Sequence, residues 1–107
     1  MTTATLNDPI LERLRAALTE IYGDRLERVV LFGSRARGDA QPDSDYDVAV
    51  FLRDMPDRMR ELNRLADVAT DILYSEGGFV HAMPYPAGSY TERTPLMHEI
   101  RTEGIDL

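Results

Sequence analysis

Apolar residues recur at helical spacing after Asn7-Asp8-Pro9: Ile10, Leu11, Leu14, Ala17, Leu18 and Ile21 fall on one face. Asp8 is suited to the N-cap, Pro9 to the first helical position and Gly23 to the stop. A short β-branched and aromatic run, Arg28-Val29-Val30-Leu31-Phe32, then ends at Gly33 and predicts a strand. Tyr46 to Leu52 predicts a second strand, and its continuously apolar part, Val48-Ala49-Val50-Phe51-Leu52, predicts burial on both sheet faces. From Met55-Pro56-Asp57 a second helix follows, with Met59, Leu62, Leu65, Ala66, Ala69, Ile72 and Leu73 as its apolar stripe and Gly77-Gly78 as its end. Phe79-Val80-His81-Ala82-Met83 reads as a third strand stopped by Pro84 and Pro86. The segment from Tyr85 to Arg93 reads as loop, and Thr94-Pro95 starts a last helix that ends at Gly104. Helix, strand, strand, helix, strand, helix is the order of a small α/β or α+β layer in a single domain spanning 1–107.

Composition narrows the partners. Asp and Glu number 19 against 12 Lys and Arg, a formal net charge of −7, and all the basic side chains counted are arginines. A chain so acidic is repelled by a nucleic-acid backbone, so no direct nucleic-acid partner is expected, whereas a small anion can bind at clustered arginines or at a metal. Without cysteine there is neither a disulfide framework nor a thiolate metal site. No apolar run approaches the ~20 residues of a membrane span. Met1 to Leu6 has neither the basic region nor the apolar core of a secretory signal, so a cytoplasmic protein is expected.

Candidate chemistry lies between the first two strands. The connection from Gly33 to Asp45, about 13 residues, is long for a hairpin, and such loops in compact domains tend to be functional or disordered. Asp45 and Asp47 are two residues apart on a strand, which places them on one face with Cα atoms ~6.5 Å apart. Two like charges there resist joint ionisation unless a divalent cation sits between them. Magnesium, which takes oxygen ligands from one or two carboxylates plus substrate phosphates, suits the pair. Gly33 lets the backbone approach a phosphate closely. Ser34 and nearby N–H groups can donate to phosphate oxygens, and Arg35 and Arg37 can pair with a triphosphate. Taken singly, a Gly-Ser turn, an Asp-x-Asp or two loop arginines are ordinary surface features. Together, in this order between two apolar strands, they point to nucleotidyl transfer.

These residues resemble the signature of the minimal nucleotidyltransferase family in the DNA polymerase beta superfamily. Gly33, Ser34, Ala36, Arg37 and Gly38, then Ser44, Asp45 and Asp47, match its Gly-Ser-x-Ala-Arg-Gly and Ser-Asp-x-Asp pattern. The ending, Ile100-Arg101-Thr102-Glu103-Gly104-Ile105, is similar to the family's short terminal helix and turn. The resemblance implies a small mixed sheet backed by helices. It further implies phosphate binding at Gly33 and Ser34, magnesium on Asp45 and Asp47, and adenylyl transfer from ATP to a hydroxyl. Many minimal members are antitoxins paired with a HEPN-domain toxin, and some adenylylate a tyrosine on it, so the resemblance implies a HEPN partner. Homo-oligomerisation is left open.

One departure stands out. Many members carry a third carboxylate on the third strand, and Phe79 to Met83 has none. The position that best corresponds is His81, which by itself reads as a half-buried strand histidine and can also act as proton acceptor or metal neighbour. Glu76 and Asp71 are further candidates for the missing acid. The departure leaves a second reading: a weak or inactive nucleotide-binding module that neutralises its partner by contact. A third, a transferase for a small molecule such as an aminoglycoside, is disfavoured by the short chain, which lacks room for the domain that usually builds a substrate pocket unless a dimer supplies it. Tyr85 and Tyr90 read as loop packing or partner contacts, and Met55, Met59, Met83 and Met97 as core filling or apolar interface.

Overall fold

The structure is a computed structural model that describes residues 8–107. Asn7 of the expected helix start and the reading of Met1 to Leu6 lie outside the described residues. Helix α1 (Pro9–Tyr22) begins on Asp8, whose carboxylate accepts the Ile10 N–H at 2.9 Å, and ends at Gly23 with φ +50°. Its buried positions are Leu11, Leu14, Leu18 and Tyr22. The buried face follows the expected stripe through Leu18 and departs from it only at the last turn, where Tyr22 goes in and Ile21 stays exposed.

Strand β1 (Leu26–Phe32) starts two residues before the apolar run, because its antiparallel pairing with β2 (Tyr46–Leu52) extends to Leu26 across from Leu52. Between them a single turn of helix, α2 (Ser34–Arg37), fills part of the expected loop and ends on Gly38 in the left-handed region. Helix α3 (Arg58–Glu76) is capped by Asp57, whose carboxylate accepts the Arg60 N–H at 3.1 Å, and is closed by Gly77. It buries Glu61, Leu65, Val68 and Ile72. Met59, expected in the stripe, is exposed. Glu61 takes the core position because Arg25, from the turn after α1, pairs with it at 3.0 Å and Arg64 approaches at 3.6 Å.

Strand β3 (Val80–Pro86) corrects the expected stop at Pro84: it continues through both prolines, pairing in parallel with β2 as far as Leu52 opposite Pro86. The sheet order is β3-β2-β1-β4, so β3 is an edge. In a parallel pair alternate residues turn both backbone groups outward, and the even-numbered prolines fall on that outer side, where no ladder donor is lost. Helix α4 (Pro95–Glu103) starts on Thr94, and a short strand the sequence reading missed, β4 (Ile105–Asp106), pairs antiparallel with Val30 and Leu31.

The sheet has helices on both faces. Val29, Leu31, Tyr46, Val48, Val50 and Leu52 pack toward α1 and α3. Val30, Ala49 and Phe51 pack toward Met97 and Ile100 of α4. Phe51 also meets the rings of Tyr85 and Tyr90 at 5.7 and 5.4 Å, so these tyrosines serve packing. β2 is buried on both sides, as its apolar run predicts.

Candidate active site

The end of β1 and the start of β2 are neighbours, with Phe32 across from Asp47, so antiparallel pairing brings Gly33 beside Asp47. Gly33 has φ +73°, and a Cβ on it would collide with Asp47 Oδ2. The glycine thus supplies both a left-handed backbone and the space that this carboxylate oxygen fills. The parallel partner of Asp47 on the other side is His81, whose Nδ1 lies 3.6 Å from Asp47 Oδ1. Asp47 therefore stands between the Gly-Ser turn and the imidazole, half-buried, with His81 largely exposed. Asp45 is exposed immediately before the strand, and strand alternation assigns it to the Asp47 side.

Of the three candidates for a third site residue, His81 is the one beside Asp47. Glu76 pairs with Arg13 of α1 at 3.8 Å, and Asp71 lines a groove of ~310 Å³ with Arg13 and Glu20. Both belong to the α1 and α3 side, across the sheet from Asp47.

The two arginines separate. Arg35 lies over the Tyr46 ring, 4.2 Å from its centroid, and donates to the carbonyls of Ser44 and Pro42. Its guanidinium closes the loop that presents Asp45. Tyr46 in turn donates to Asp8 Oδ2 at 2.6 Å, and burial first, then this contact, pushes its phenol up to about 12. This Asp8-Tyr46-Arg35-Ser44 brace escaped the sequence reading; the alternation that buries Tyr46 away from Asp47 was its only signal. Arg37 lies three residues after Ser34 on α2, and i,i+3 spacing puts the two on one face. It pairs with Asp39 at 3.3 Å and Glu103 at 3.4 Å. Glu103, which the sequence reading left outside the site, thus contacts one of its candidate residues.

Asp45 and Asp47 offer carboxylate oxygens, and an ion held between them would take its remaining ligands from phosphate oxygens. That donor set fits one magnesium ion shared with a triphosphate. Among the described residues no group of three His, Asp, Glu or Cys side chains converges as a metal cage, so such an ion depends on its substrate for further ligands. Also among them, no helix is long and apolar enough to cross a membrane.

Comparison with known proteins shows the family and the fold. The family described as nucleotidyltransferase domain matches residues 11–91. Two proteins of Methanocaldococcus jannaschii, each named "Putative protein adenylyltransferase", are similar in sequence. One is 28% identical over 98 residues, covering 92% of this chain and 95% of its own. The other is 33% identical over 69 residues, covering 64% of this chain and 47% of its own. Among solved structures, a toxin–antitoxin complex with AMP-PNP matches with TM-score 0.66 at 21% identity, over 89% of this chain and 69% of the other. A complex of tri-AMPylated HEPN toxin with MNT antitoxin from Shewanella oneidensis matches with TM-score 0.59 at 19% identity, over 89% and 66%. These likenesses show a shared fold.

Proposed function

This chain belongs to the nucleotidyltransferase-domain family, and from that premise we propose that it is a magnesium-dependent adenylyltransferase acting on a hydroxyl of a protein partner, with a HEPN-type toxin as that partner. The observation that carries the reading is the placement of Asp47, lodged against Gly33 on one side and His81 on the other. The relatives named for protein adenylyl transfer support the choice of acceptor class.

The reaction joins the acceptor oxygen to the α-phosphorus of ATP and breaks its bond to pyrophosphate, while the hydroxyl proton leaves. Gly33 and Ser34 receive the phosphates through backbone N–H groups and the hydroxyl, and Arg37 adds a guanidinium on the same face. Asp45 and Asp47 would hold magnesium, which would supply neutralisation of the phosphate charge and alignment of the entering and leaving oxygens. His81 takes the place of a third carboxylate, and its neutral imidazole accepts the proton shed by the attacking hydroxyl. Positioning and electrostatics carry most of such a transfer.

The test is to incubate the chain with ATP, magnesium and a HEPN-domain partner and to weigh the partner intact. The partner gains mass in adenylyl units with the unsubstituted chain and gains none with Asp45→Ala/Asp47→Ala. Absence of any gain with both proteins would sink the reading. The lack of a carboxylate on β3 favours a second one, neutralisation by contact alone. In that case the doubly substituted chain still binds and silences the partner.

A further inference from the structure

The end of the chain reaches the phosphate turn. Glu103, the last residue of α4, stands with Oε1 3.4 Å from NH1 of Arg37, 66 positions earlier. Its backbone is fixed from behind. A Cβ on Gly104 would collide with the Ile100 carbonyl and the Val30 side chain, so α4 ends in close contact with β1. Ile105 and Asp106 then pair with Leu31 and Val30, and the Leu107 N–H donates to the Val29 carbonyl at 2.9 Å. The strand that leads into Gly33 is therefore the same strand that fixes Glu103.

Arg37 is gripped twice: NH1 by Glu103, and Nε by Asp39 Oδ2 at 3.3 Å. Among the described residues no partner takes its NH2. A guanidinium carries five donors in a rigid fork, so two carboxylate contacts orient it without exhausting it. An arginine already held in one direction loses less rotamer freedom when a ligand arrives.

Resting on the nucleotide-binding role proposed above, we propose that Glu103 is a positioning residue for the triphosphate: from the end of α4 it holds the Arg37 guanidinium beside Ser34, so that the unpaired nitrogen meets a phosphate oxygen. The C-terminal helix and β4 thereby contribute to a site whose other parts lie within residues 33–47 and at His81.

The experiment measures ATP affinity by calorimetry, with magnesium present, on the full chain and its variants. Arg37→Ala is expected to weaken ATP binding about tenfold, the size of one charge-assisted contact. Glu103→Ala is expected to weaken it about three- to fivefold, in keeping with a contact that acts at one remove. Glu103→Gln, whose amide oxygen still accepts from NH1, restores most of that loss. In the Arg37→Ala background, Glu103→Ala has no further effect. Glu103→Ser repeats the truncation on a second side chain, with thermal melts to verify folding. Tighter binding in both Glu103→Ala and Glu103→Gln would show that the carboxylate competes with phosphate, and overturns the proposal. So does an undiminished effect of Glu103→Ala when Arg37 is absent. If the unsubstituted chain binds no ATP, the proposed function falls as well; if it binds ATP and the coupling is absent, this inference falls alone.

Discussion

Asp47 depends on a residue that is not itself reactive. Gly33 needs both a positive φ and an empty Cβ position, because Asp47 Oδ2 fills that space. Gly33→Ala is expected to cost about 1–3 kcal/mol through backbone strain alone, read from urea unfolding, and to abolish transfer by displacing the carboxylate. His81 makes the opposite kind of prediction, since it is largely exposed and packs little. His81→Ala should leave the unfolding midpoint unchanged while lowering the transfer rate by about 10²-fold or more, the usual contribution of a general base. His81→Asp, which restores the carboxylate common elsewhere in the family, should recover much of that rate. Equal rates for His81→Ala and the unsubstituted chain would remove the imidazole from the reaction.

Element placement turns on one buried charge. Glu61 is 2% exposed inside α3, and it joins that helix to the turn after α1 through Arg25. Burial, the largest influence, pushes its carboxyl up, but Arg25, Tyr22 and Arg64 together outweigh it and hold the carboxyl below the usual glutamate range. The stability it contributes is therefore complete above that usual range and is lost as pH falls through the lower folded value. Urea unfolding at neutral and acid pH should show a gap between the unsubstituted chain and Glu61→Gln that closes toward low pH. Arg25→Ala is expected to cost roughly 1–3 kcal/mol, less than a fully enclosed pair, because Arg25 keeps 32% of its side chain in water. Helical spacing in the sequence revealed α3 and both of its ends but chose Met59 for the core over Glu61. Periodicity weighs apolarity, and only a partner distant in sequence makes a glutamate a core residue. The prolines of β3 teach the same lesson: they read as strand breakers until the fold puts that strand at an edge.

At the scale of the molecule, charge sets the terms for the ligand. A chain with formal net charge −7 repels a triphosphate, and both Asp45 and Asp47 add to that repulsion at the site. Chelation of divalent metal should therefore weaken ATP binding far more than adenosine binding, measured side by side by calorimetry. Equal affinity for ATP with and without chelator would argue against a metal shared between aspartates and phosphates. The sequence by itself determined the layer of helices and strands, the apolar run of β2 and the presence of a Gly-Ser turn and an Asp-x-Asp at the ends of two strands. These are local matters of spacing, capping and alternation, which neighbouring residues encode without help. The tertiary structure alone decided that Arg35 braces a loop, that His81 rather than Glu76 or Asp71 adjoins Asp47, and that Glu103 pairs with Arg37. Each of those outcomes depends on strand register or on a contact between residues far apart in the chain. Such contacts form only when the whole sheet closes, and no window of sequence contains both partners.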